Sequence, residues 1–239
     1  ENGVDGVLNA GAPWTRMDRA VELADCWPMV WAAAGVHPGD VKKMRREDLD
    51  RLELLTRHPK CVAIGEIGLD YHYLNSEKDT QRYWFYQQLM LAKELDLPVI
   101  IHDRDAHQDC LDAVFRYGVR GVFHCYSGSA EMAKELVRHG FYCSFTGVVT
   151  YQGARRALET IAQIPLERIL IETDCPYLAP VPWQKKRNEP KNVAAVAKVI
   201  AGIRGVSVEK VAEVTAQNAM CLFQMDKLWQ NNEHDETKK

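Results

Sequence analysis

Apolar residues in this chain fall into two alternating rhythms. Short, nearly unbroken runs recur at 4–9, 30–36, 61–65, 99–102, 121–124, 142–149 and 169–172. A run that is apolar at every position, without a polar alternate face, predicts a strand of a parallel sheet buried on both sides. Between the runs lie segments of helical period at 15–26, 46–57, 79–96, 106–117, 129–139 and 153–163. The strongest opens on Glu77–Arg82 and places Tyr83, Phe85, Tyr86, Leu89, Met90 and Ala92 on helical spacing. Two further helices are expected: Asn192–Arg204 after Pro190, and Ser207–Phe223 with Ser207 as its N-cap. From Gln224 the sequence turns polar, so a single domain over 1–223 with a disordered tail over 224–239 is expected.

Alternating βα units admit an open doubly wound sheet or a closed barrel. The ends of the runs decide between them. Glu66, His102, His124 and Asp174 each stand at or just after the end of an apolar run. A charged or imidazole group there is costly to bury without a partner. Four such groups at one end of parallel strands read as ligands converging on a cation, which a barrel gathers at one mouth. An open sheet instead concentrates its site at one switch point. The expected fold is therefore an α/β, (β/α)8 TIM barrel. Only seven strands are visible, and Glu1-Asn2-Gly3 reads as a helix end running into a strand. A further strand and helix, roughly 20–30 residues, is expected ahead of Glu1, the rival being a seven-strand relative with an open edge.

Composition narrows the class without naming it. The chain has 239 residues, 46% hydrophobic and 26% charged, which is ordinary for a globular protein. No apolar stretch approaches the ~18 residues of a membrane span. The seven cysteines are scattered, with none in a CxxC pair, so they read as small hydrophobes in a reducing cytosol. A cytoplasmic location is expected. The net charge of −3 gives no global attraction to nucleic acid, so any polyanion contact must be local.

Six segments appear in a telling order: Gly35-Val36-His37-Pro38, Gly65-Glu66-Ile67-Gly68-Leu69-Asp70-Tyr71, Ile101-His102-Asp103-Arg104-Asp105-Ala106, His124-Cys125-Tyr126-Ser127-Gly128, Glu172-Thr173-Asp174-Cys175-Pro176-Tyr177-Leu178-Ala179-Pro180, and Arg187-Asn188-Glu189-Pro190. Together they resemble the TatD family of metal-dependent hydrolases and DNases within the amidohydrolase superfamily, over the chain up to Phe223. The resemblance implies a barrel with one or two divalent ions at its mouth. It carries a bridging carboxylate to Glu66, histidine ligands to His102 and His124, and a combined ligand and proton-acceptor role to Asp174. The imidazole and carboxylate mixture leaves Mg²⁺, Mn²⁺ and Zn²⁺ open. One departure stands out. The family opens on an Asp-x-His-x-His strand, and no HxH occurs here.

Other residues admit two readings each. His37 is a turn residue before Pro38 or a contact to phosphate. Arg104 touches phosphate or pairs with Glu66 or Asp70. Asp70 orients a ligand or caps a turn. Lys185-Lys186-Arg187 beside Trp183 is a solvated loop or a nucleic-acid contact. Ser127-Gly128 caps a helix or binds an anion. Trp14, Trp27 and Trp31 are expected to pack. The expected function is a divalent-metal-dependent 3′-5′ exonuclease-like DNase on single-stranded ends, in which His37, Arg104, Arg187 and Asn188 hold the substrate. No membrane and no obligate protein partner enter this reading. Two rivals remain: ester or amide hydrolysis, including aminoacyl-tRNA deacylation, and a degenerate member that only binds.

Overall fold

The computed structural model describes residues 3–11 and 13–225. The chain divides into two compact units. One holds Asp5–Gly121 with Met220–Met225, and the other holds Val122–Ala219 with Gly3 and Val4.

In the first unit, β1 (Val7–Asn9), β2 (Val30–Ala34), β3 (Cys61–Asp70) and β4 (Val99–Arg104) pair in parallel and in chain order. The helices α1 (Arg19–Cys26), α2 (Arg46–Thr56), α3 (Lys78–Glu94) and α4 (His107–Tyr117) alternate with them. Trp31, Leu52, Ile64, Ile67, Leu69, Phe85, Leu89 and Ile101 are fully buried. Each stabilises the unit by about 1.5–3 kcal/mol through apolar transfer. Trp27, expected to pack, is instead exposed, because it lies just past the end of α1.

In the second unit, β5 (Gly121–Phe123), β6 (Tyr142–Phe145) and β7 (Ile169–Ile171) are likewise parallel. The helices are α5 (Ala130–Arg138), α6 (Arg155–Gln163), α7 (Val193–Arg204) and α8 (Val208–Phe223). Ser129 caps α5 by accepting from the Met132 N–H, and Ser207 accepts from the Lys210 N–H ahead of α8. Phe123, Phe141, Phe145, Ile161, Ile169 and Ile200 form its core.

Three boundaries differ from the sequence expectation. The apolar run at 61–65 does not stop at Glu66. Its strand continues to Asp70, with a register shift against β4 between Ile64 and Ile67. The bulge turns Glu66 within the strand, so a carboxylate in mid-strand is tolerated. The run at 142–149 breaks after Phe145. Thr146 accepts from the Val148 N–H and starts a 3₁₀ turn at Gly147–Thr150. At the C-terminal end Met225 is buried and its N–H reaches the Met220 carbonyl, so order extends past Phe223. Residues 226–239 of the expected tail lie outside the described residues, as do Glu1 and Asn2. Cys61, Cys110 and Cys143 are buried as expected, whereas Cys26, Cys175 and Cys221 are exposed.

Candidate metal centre

Three ligating side chains meet in the first unit. His37, Glu66 and His102 bring one ligand atom each within 4.8 Å of one another. His102 Nδ1 lies 2.7 Å from Glu66 Oε1, and His37 Nε2 lies 3.8 Å from the same oxygen. The two imidazoles stand edge to face, with centroids 4.5 Å apart. The far side of His102 is also held, since Nε2 lies 3.2 Å from Asp70 Oδ2. A histidine whose second nitrogen is gripped by a carboxylate has a fixed ring orientation and greater basicity as a ligand.

Asp70 is itself buried, and burial opposes its ionisation. The hydrogen bonds from His102 and from the Tyr73 and His72 N–H groups outweigh that penalty and hold its carboxyl at about 2. The negative charge thus persists beneath the imidazole. Space around the group is tight. Gly68 has φ 144, and a Cβ there would lie 2.0 Å from the His102 carbonyl oxygen. Only glycine lets β3 pass β4 this closely.

Helix α3 positions the group from below. Gln81 and Gln88 are seven residues apart on one face, and both are completely buried. Gln81 accepts from the Asp70 N–H at 2.8 Å and donates to the carbonyls of Asp70 and Ser76. Gln88 accepts from the Val36 N–H at 2.7 Å and donates to the Val36 carbonyl. Each glutamine therefore clamps backbone beside a site residue, Asp70 in one case and His37 in the other. Sequence reasoning passed over both. Their signal was present: two amides on the apolar face of an amphipathic helix, where a polar group must find partners.

The second unit carries its own constellation. His124 follows β5 and its Nδ1 lies 3.5 Å from Glu172 Oε2. Glu172 follows β7, accepts from the Cys125 N–H at 2.6 Å, and is also hydrogen-bonded by the Ser144 hydroxyl. Burial opposes its charge, yet His124 and these donors hold its carboxyl below the usual range. Glu172 was not singled out from the sequence, although it ends an apolar run as the other candidates do. Burial, then the Glu172 and Asp174 carboxylates, push the Cys125 thiol up to about 11, so it is a poor nucleophile.

Asp174 has a left-handed backbone, φ 53, which an aspartate tolerates better than most residues. The loop around it is braced by Asn188, which is buried. Its amide donates to the carbonyls of Thr173 at 2.8 Å and Tyr177 at 2.7 Å, and its oxygen accepts from Asn192. Asn188 was expected to meet substrate. Its side chain is committed to holding the Asp174 loop. Arg187, Lys185 and Lys186 are exposed on the same segment, next to the partly exposed Trp183. Arg104 lies with its guanidinium 4.8 Å from the Tyr73 ring centre.

Comparison with known proteins places this arrangement. The model of TatD related DNase matches residues 1–224. Over 226 residues the chain is 43% identical to the uncharacterized metal-dependent hydrolase YabD of Bacillus subtilis, covering 93% of this chain and 89% of the relative. It is 37% identical over 229 residues to the 3'-5' ssDNA/RNA exonuclease TatD of Citrobacter rodentium, covering 92% and 87%. The crystal structure of YJJV, a TatD homolog from Escherichia coli K12, matches with a TM-score of 0.88 at 32% identity, over 93% of this chain and 88% of that one. The fold is thus of the α/β, TIM-barrel type expected from the strand ends. No described helix is long and apolar enough to cross a membrane. A carboxylate between two imidazoles, with a buried carboxylate behind one of them, is a donor set that fits a divalent cation, and the chain is a metal-dependent hydrolase that belongs to the TatD related DNase family.

Proposed function

We propose that this hydrolase is a nuclease that removes nucleotides from single-stranded DNA ends. The observation that carries the reading is the His37, Glu66 and His102 group, built with its supporting Asp70 on rigid strands. Support for nucleic acid comes from relatives named as 3'-5' ssDNA/RNA exonucleases. His37, Glu66 and His102 would hold a divalent ion, with Mg²⁺, Mn²⁺ and Zn²⁺ all compatible with nitrogen and oxygen donors. Such an ion supplies Lewis acidity and offsets phosphate charge when bound. We assign His124 and Asp174 as further cation ligands, and Asp174 also as proton acceptor.

The residues of the chain do the remaining work. Asp70 fixes the His102 ring, and Glu172 does the same for His124. Asp174, held in an uncommon backbone conformation, is the carboxylate we assign to accept the proton of the attacking water. Arg187 and its lysine neighbours offer exposed positive charge to the phosphate backbone. A cytoplasmic site of action is part of the same proposal.

The test is nucleotide release from single-stranded DNA with Mg²⁺ or Mn²⁺, beside duplex DNA, a simple ester and an aminoacyl-tRNA. Single-stranded DNA should be preferred. Asp174→Asn keeps the shape but removes the basicity, and should lower turnover roughly 10²–10⁴-fold. Near-normal turnover in that variant at saturating metal would refute the assigned proton acceptor. Ester or acyl-tRNA hydrolysis without nucleotide release would replace the nuclease reading.

A further inference from the structure

We infer that Tyr73 and Arg104 form a stacking platform for a nucleobase of the single strand, immediately beside the His37, Glu66 and His102 group. The inference rests on the nuclease reading and gives it a means of gripping the strand by its bases. Tyr73 is 60% exposed, so its ring is open to a partner from solvent. The Arg104 guanidinium lies 4.8 Å from its ring centre. Arg104 is two residues beyond His102 on β4. The Tyr73 N–H donates at 2.8 Å to Asp70 Oδ1, and the other oxygen of that carboxylate faces His102. A single side chain thus separates the platform backbone from a ligand of the metal group.

The platform is built rather than incidental. The β3–β4 ladder runs on through the Tyr71 N–H to the Arg104 carbonyl at 2.9 Å. His72 pairs with Asp105 at 3.0 Å, so residue 72 meets the turn after β4 and residue 73 meets the last residue of β4 itself. Asp70 Oδ1 also accepts from the His72 N–H, and buried Gln81 clamps Asp70 and Ser76 on either side. A segment fixed this way loses little entropy when a strand binds. A π face joined to a guanidinium suits single-stranded nucleic acid, because every base has a face to stack and every linkage carries a phosphate. It suits a plain ester or amide substrate poorly.

The experiment compares two short 5′-fluorescein single-stranded oligodeoxynucleotides, one with all its bases and one with abasic sites at its 3′ end. Both keep every phosphate, so charge attraction is equal and base stacking is isolated. Dissociation constants are read by anisotropy with the full chain, at fixed salt and without divalent ion so that the strand is not consumed. The unmodified chain should bind the base-bearing strand roughly five- to hundred-fold more tightly. Tyr73→Ala should bring that ratio close to one, and Tyr73→Phe should preserve it because the ring remains. A ratio near one in the unmodified chain, or an unchanged ratio in Tyr73→Ala, overturns the platform. Nucleotide release with a ratio of one would sink the platform alone. Base-dependent binding through Tyr73 with no release under any ion would sink the nuclease reading and leave the platform standing.

Discussion

The two donor constellations of this chain are held in different ways. His37, Glu66 and His102 stand on or beside central strands, and Gln81 and Gln88 from a 17-residue helix clamp the neighbouring backbone at Asp70 and Val36. His124, Glu172 and Asp174 follow the ends of short strands of the other unit, and Asn188, in the loop beyond Asp174, clamps the Asp174 segment. The first arrangement relies on two fully buried amides of one long helix. The second relies on one amide of a loop. Disturbing the first should therefore be felt across the unit, whereas disturbing the second should be felt mainly at Asp174. A proton acceptor held by a loop can still adjust to substrate, while ligands held by strands are preorganised.

Substitutions at the clamps break or sharpen this contrast. The largest effect is expected from Gln81→Leu, which leaves the Asp70 N–H and two carbonyls without partners in a buried place. At about 1–3 kcal/mol for each stranded group, the loss should exceed about 3 kcal/mol in urea unfolding, and metal affinity should fall with it. A variant as stable as the unmodified chain would show that the clamp is dispensable. Asn188→Asp should come next. The carboxylate keeps the shape but turns an acceptor toward the Thr173 and Tyr177 carbonyls. Turnover should drop roughly 10²-fold through misplacement of Asp174, with a loss of stability below that of Gln81→Leu, since two groups rather than three lose their partner. An equal loss of stability in both variants would erase the distinction between strand-held and loop-held groups.

Asp70→Asn addresses the carboxylate behind His102. The amide can still meet the ring but no longer supplies charge, and Mn²⁺ affinity by calorimetry should weaken roughly 10–100-fold. The smallest effect is expected away from both constellations. Asp109 accepts from the Tyr71 hydroxyl and from Arg82, and these partners lower its carboxyl from the ordinary range. A carboxyl lowered on folding contributes stability that is complete above its unfolded value near 3.9, and that contribution is lost as pH falls through the lower folded value. Asp109→Asn should therefore cost about 1 kcal/mol at pH 7 and less at pH 3, measured by urea unfolding at each pH. A larger loss at pH 3 would reverse the sign of the argument.

Much of the fold was legible in the chain because burial on both faces leaves a run with no polar alternate position. All seven runs correspond to strands among the described residues, and the helices between them start and stop within a few residues of their expected ends. Glu66, His102 and His124 were legible for the converse reason, since a charged group ending an apolar run has few alternatives to a partner. Asp174 was visible through the same logic and through its motif. Tertiary structure alone decided the rest. Local pattern cannot report a bulge, so the continuation of β3 through Glu66 to Asp70 emerged only from its pairing with β4. The move of His37 into the ligand group depends on β2 lying beside β3, and the contact of Arg104 with Tyr73 depends on where the 71–74 turn falls. Asn188, Gln81 and Gln88 are ordinary polar residues in the sequence. The backbone groups they hold lie 11–15, 5–11 and 52 residues away, and backbone groups carry no sequence signature. The sequence by itself determined which residues must be buried and which must find a partner, because transfer from water depends on the side chain alone. Which partner each one found was decided by the folded chain, because hydrogen bonds and coordination depend on distance and direction.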